Sequence, residues 1–125
     1  MTTGDGLKVL EGAVDVYRGL EAEVTKLIQS REAFVAQLNE NDMVQRELKL
    51  VKEGEKVFKR IGPVLVKQDL DDANANVKKR LEFIQNELQK IEKSIQEKEQ
   101  KKNEAREAVV KLQQEQAAAK QAAAN

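Results

Sequence analysis

Asp69 and Asp71, in the run DLDDANAN, occupy the first and third positions at which a calcium loop places its carboxylates, so divalent cation binding is the first chemistry the chain suggests. The rest of the loop is missing: the sixth position is Asn74 where the sharp turn needs Gly, and the twelfth is Arg80 where a bidentate Glu is needed. The segment reads instead as a helix start, with Asp69 as N-cap and Asp72 three residues later, both favourable at the positive end of a helix. GDGLK, residues 4–8, has two glycines but neither the spacing nor the Lys-Ser/Thr ending of a phosphate-binding loop, and reads as part of a flexible leader. Lys78, Lys79 and Arg80 form a basic triplet on a stretch rich in Glu, where a solvated face with intrahelical ion pairs is expected rather than a nucleic-acid patch. With no His and no Cys, the commonest metal ligand, the near-neutral proton shuttle and thiol chemistry are all absent. No catalytic residue, metal site or cofactor is expected, and the chain does not read as an enzyme.

The elements that carry these residues are long helices. Of 125 residues, 35% are charged and 3% aromatic, which leaves few large side chains for a thick globular core; Ala, Glu, Lys, Leu and Gln dominate, as in coiled coils. Lys plus Arg and Asp plus Glu are each 22, so no overall basic field would hold a phosphate backbone, and nucleic acid is not an expected partner. No run approaches the roughly 18 apolar residues of a membrane helix, and the opening residues do not resemble a secretory signal. A cytoplasmic protein with no membrane partner is expected.

Leu10, Val14, Tyr17, Val24, Ile28, Val35 and Leu38 recur at spacings of four and three, with Glu21 and Arg31 as polar occupants of the same seam, and Leu48 extends the face. This predicts a helix over 7–53 that ends near Lys52, with Gly54 as the left-handed residue that closes it. Val77, Leu81, Ile84, Leu88, Ile91 and Ile95 keep the same alternation, which continues through Lys98, Lys102, Ala105, Val109, Leu112, Gln116 and Ala119. A second helix is predicted over 69–119, with a frayed tail at 120–125 to match the leader at 1–6. Each helix covers about 45 residues, roughly 65 to 75 Å, and neither can bury its stripe alone. Folding back at the centre would pair Leu48 with Val77, Leu38 with Leu88, Val35 with Ile91, Tyr17 with Val109, and Val14 with Leu112.

Between the helices, VFKRIGPVLVKQ carries Val57, Phe58, Ile61, Val64, Leu65 and Val66 around the pair Gly62 and Pro63. This predicts a β-hairpin over 57–67, with strands at 57–61 and 64–67 and an open turn type. A lone two-stranded hairpin is marginal in water, and this one has apolar residues on both faces and unpaired edges. Either it folds down on the base of its own coiled coil, or it meets strands from other chains, and the second reading makes it an oligomerisation element.

With its helix, hairpin, helix order and the words NENDMVQRELKL, FKRIGPVLVKQ and ANVKKRLEFI, the chain resembles the β-class prefoldin subunits. The resemblance implies a mainly α fold, a long antiparallel two-helix coiled coil turned by one β-hairpin, with hairpins assembling into an oligomeric β-barrel. It implies a heterohexamer with other prefoldin subunits of α and β class. It also implies ATP-independent holding of unfolded actin and tubulin and their delivery to the group II chaperonin.

Leu7, Leu10, Val14 and Tyr17 on the first helix, with Val109, Val110 and Leu112 on the second, form an apolar cluster near the chain ends. Ordinary seam packing would explain them. Yet Gly4, Gly6, Gly12 and Gly19, four of the six glycines, fall in this segment, and each glycine inside a helix costs about 0.5 to 1 kcal/mol relative to Ala. A fraying tip would expose this surface to unfolded clients. The competing reading is a structural or adaptor coiled coil whose hairpin only turns the chain, although a two-residue loop would suffice for that.

Overall fold

The structure, a computed structural model, describes residues 3–124, and two long helices joined by a single β-hairpin make up these described residues. The order is α1 (Thr3–Lys49), β1 (Val57–Ile61), β2 (Val64–Gln68) and α2 (Leu70–Ala124). The strong helix formers that dominate both long segments leave the helical ladder unbroken for 47 and 55 residues. Asp5 in the first turn of α1 and Arg46 and Lys49 in its last turn match the helix dipole, as do Asp71 and Asp72 at the start of α2. Asp69 precedes α2, and its carbonyl accepts the first helical bond, from Ala73 N at 2.9 Å.

β2 runs to Gln68 and α2 begins at Leu70, each one residue beyond the expected boundary, and three boundaries differ by more. Residues 3–6 belong to α1 despite Gly4 and Gly6, and residues 120–124 belong to α2, where the Ala-rich tail is helix-permissive; the remaining leader and tail positions, Met1, Thr2 and Asn125, lie outside the described residues. α1 stops at Lys49 rather than near Lys52. Leu50 N and Val51 N bond to Glu47 O and Leu48 O at 3.0 and 3.3 Å, so i→i+3 bonds tighten the last turn and end the helix without glycine. Gly54 serves a separate turn over 52–55, where Glu55 N donates to Lys52 O at 3.1 Å and Gly54 takes φ +89°, the third-position geometry of a type II turn.

The contacts group into two units. The hairpin unit is Ser30–Ile91 and the terminal unit is Met1–Gln29 with Glu92–Asn125. In the hairpin unit, Leu48, Ala73, Val77 and Leu81 form a buried cluster against which Leu38, Val57 and Leu70 pack. The α1 seam here differs from the expected one: Val35 is exposed, and Arg31, Phe34, Leu38, Asn41 and Gln45 are half-buried ahead of the buried Leu48. That is an unbroken alternation of three and four, hidden in the sequence because polar residues, Arg31, Asn41 and Gln45, occupy three of its positions. Asn41 Nδ2 is satisfied by the Gln37 carbonyl at 2.8 Å.

In the terminal unit Val24 and Ile95 are buried, and two ion pairs join α1 to α2: Lys98 Nζ to Glu23 Oε2 at 2.8 Å and Lys102 Nζ to Glu21 Oε2 at 4.0 Å. Gln116 donates to the carbonyl of Gly6, and Lys102 Nζ lies 6.0 Å from the Tyr17 ring centre. These pairs set a register about one helical turn from the one that would join Tyr17 to Val109. Heptad seams match in more than one register, and these polar pairs mark the one adopted.

The hairpin register runs Val57↔Gln68, Phe58↔Lys67, Lys59↔Val66, Arg60↔Leu65 and Ile61↔Val64. Gly62 has φ +59° at the first central position of the turn, and Pro63 follows with the negative φ its ring imposes, which is the type II′ pattern. Arg60 Nε donates across the turn to Gly62 O at 3.2 Å. A Cβ at Gly62 would meet nothing within 4 Å, so the cost of Gly62→Ala is purely conformational. It should loosen the hairpin by about 1 to 2 kcal/mol. Faster amide exchange in β1 and β2, with α1 and α2 unchanged, would report it.

Candidate functional site

The hairpin is the most exposed apolar element of its unit. Side chains alternate across a strand, so the register puts Val57, Lys59, Ile61, Val64, Val66 and Gln68 on one face and Phe58, Arg60, Leu65 and Lys67 on the other. Only Val57 reaches the helical core; Phe58, Ile61, Val64, Leu65 and Val66 are exposed, from 44% for Val66 to 66% for Leu65. Both faces are thus open, and Gly62 with Pro63 shapes the turn between them. The sheet has two strands among the described residues, so each strand keeps one unpaired edge of N–H and C=O groups. An apolar surface with open edges can add strands from another chain.

The seven expected client-binding residues all fall in the terminal unit. Leu7 and Val110 are exposed, whereas Leu10, Val14, Tyr17, Val109 and Leu112 are half-buried along the seam. Sequence reasoning overlooked Val9 and Val16, exposed at 54% and 58%. They are seven residues apart, so they share a face of α1, and that spacing was the available signal. Gly12 and Gly19 have open space where a Cβ would stand, so packing does not call for glycine at either position.

Between these apolar stretches and Ile95 lies a charged belt. The hydrogen bond from Lys98 and its positive charge hold the Glu23 carboxyl below its ordinary value, with Lys101 and Lys26 adding smaller effects. A carboxylate whose value falls on folding contributes stability that is present above its unfolded value, near 4.5, and is lost as pH falls through the lower folded value. Glu23 is solvent-exposed, so the contribution is small and weakened by salt. Glu23→Gln should lower the melting temperature slightly at neutral pH and low salt, and the difference from wild type should vanish on acidification below the carboxylate range.

Among the described residues no group of three or more His, Cys, Asp and Glu could hold a metal ion, and no helix is long and apolar enough to cross a membrane.

A family model described as "Prefoldin subunit" matches residues 13–116. The chain is 43% identical over 113 residues to prefoldin subunit 6 of Arabidopsis thaliana, covering 90% of this chain and 88% of that one. It is 41% identical over 108 residues to prefoldin subunit 6 of Homo sapiens, covering 86% and 84%. Among solved structures it is similar to the prefoldin beta subunit from Thermococcus strain KS-1, with TM-score 0.73 at 18% identity, covering 80% of this chain and 88% of that one. The beta2 subunit from the same strain aligns with TM-score 0.63 at 17% identity, covering 74% and 98%.

Proposed function

Because this chain belongs to the prefoldin family of chaperone subunits, we propose that it works as one member of a heterohexamer, holding unfolded proteins without nucleotide and passing them to the cytosolic group II chaperonin. The observation that carries this reading is the hairpin: five large apolar side chains on two open faces, with unpaired edges, form a surface completed by sister subunits. Other prefoldin subunits of α and β class supply the missing strands, and the joined hairpins close into a β-barrel, which removes the edges altogether.

The client surface is the apolar part of the terminal unit, Leu7, Leu10, Val14, Tyr17, Val109, Val110 and Leu112, to which Val9 and Val16 add an exposed stripe. Each aliphatic side chain gains roughly 1.5 to 3 kcal/mol when fully buried against a partner, so one chain binds an unfolded segment weakly. Several such ends on one platform act at high effective concentration and hold it well. Unfolded actin and tubulin are the proposed clients, and release needs only a competing binder. An adaptor coiled coil has no use for the exposed hairpin residues.

Size-exclusion chromatography with light scattering, on the chain alone and with an α-class prefoldin subunit, tests the assembly. A defined mixed oligomer is expected. A chain that stays monomeric beside the α-class subunit would leave the adaptor reading in place.

A further inference from the structure

We propose that a lateral groove of the hairpin unit, outside both the hairpin and the terminal seam, binds an acidic peptide segment through Phe83, Lys79 and Arg80. The groove has a volume of about 290 Å³ and is lined by Gln37 and Asn41 from α1 and by Lys79, Arg80, Phe83 and Ile84 from α2. Ile84, 3% exposed, belongs to the packed seam, whereas Phe83 is 59% exposed and stands off it. Phe83 follows Lys79 by four residues and Arg80 by three, so both cations share its helix face.

The intrahelical pairing expected of this basic triplet is absent: among the described residues no ion pair or side-chain hydrogen bond engages Lys78, Lys79 or Arg80. Elsewhere on the helices Arg46 pairs with Asp42 and Lys90 with Glu87. An exposed phenyl ring thus stands one helical turn from two cations that carry no ion pair among the described residues.

Size and chemistry select the ligand. Pockets for small metabolites run from about 300 to 1,000 Å³ and enclose their ligand, so an open groove at the bottom of that range suits one or two side chains of a peptide. An aliphatic or aromatic residue would cover Phe83 and the edge of Ile84, and flanking carboxylates would neutralise Lys79 and Arg80. The Asn41 amide nitrogen is engaged by the Gln37 carbonyl, which leaves the Asn41 Oδ1 and the Gln37 side-chain amide to meet a peptide backbone. A single-stranded nucleic acid could stack on Phe83, but two cations on a chain of zero net charge neutralise too few phosphates to favour it.

The test uses the full chain and a fluorescent peptide in which Leu-Phe is flanked on each side by Glu-Glu-Asp, read by anisotropy at low and high salt. Saturable binding is expected, weakened about tenfold by Phe83→Ala and about tenfold by Lys79→Gln with Arg80→Gln, the latter pair also flattening the salt dependence. Phe83→Leu should retain most of the affinity, and all variants should melt like wild type because the altered side chains are exposed. Absence of saturable binding, affinity unchanged in either the Phe83→Ala or the charge variant, or tighter binding of labelled oligouridylate through the same residues would each overturn the proposal.

Discussion

Val64→Glu combined with Leu65→Glu is expected to abolish assembly with partner subunits while leaving both helices folded. The two positions point to opposite faces of β2, so a single strand carries the insult to both sides of the hairpin. In the lone chain they are 56% and 66% exposed, and glutamate there costs little. In a closed barrel one of the two positions faces the interior, where the substitution removes roughly 1.5 to 3 kcal/mol of apolar burial and puts a carboxylate where water is excluded, at a further cost of several kcal/mol; the other removes apolar surface from the outer face. A combined loss above about 5 kcal/mol exceeds three decades in affinity, enough to remove a micromolar-range complex from a sizing column. Circular dichroism should remain that of the wild-type chain. Retention of the mixed oligomer by this variant would mean that the hairpin is not the joint.

The hairpin was legible because its evidence is local: β-branched and aromatic residues around Gly-Pro stand out in a chain otherwise built of helix formers. Its turn type was not, since Gly-Pro is uncommon in two-residue hairpins and only the positive φ of Gly62 assigns it. The second seam, from Val77 to Gln116, was legible residue by residue because the apolar count was unbroken as far as Ile95 and fixed the phase beyond it. The first seam was misread at Val35, since Phe34 and Val35 are both apolar and the polar occupants Asn41 and Gln45 gave no signal to choose between them. Register failed for a related reason. The distances that set it belong to Lys98 with Glu23 and Lys102 with Glu21, and periodicity ranks no charged pair above another. Phe83 escaped notice because the count that put Ile84 on the seam left its neighbour off it, and only its exposure and the groove beside it set it apart.

Leu10→Gln, Val14→Gln and Leu112→Gln together are expected to weaken capture of a denatured client about tenfold or more, with assembly intact, as read by suppression of client aggregation in light scattering. The three residues are half-buried along the terminal seam, so their removal from client contact and from seam packing cannot be separated by this variant alone. Gly12→Ala with Gly19→Ala separates them. A Cβ at either position meets nothing within 4 Å, so the change leaves every contact and all the apolar surface in place while raising helix stability by about 0.5 to 1 kcal/mol per site. If capture requires the terminal helices to open and present the seam, the alanine pair should slow amide exchange there and weaken capture as well, because opening becomes rarer by the same free energy. Weakened capture by the glutamine variant with full capture by the alanine pair would assign client contact to the accessible edges of Leu10, Val14 and Leu112 in the closed helices. Full capture by both variants would remove the half-buried terminal seam from client binding.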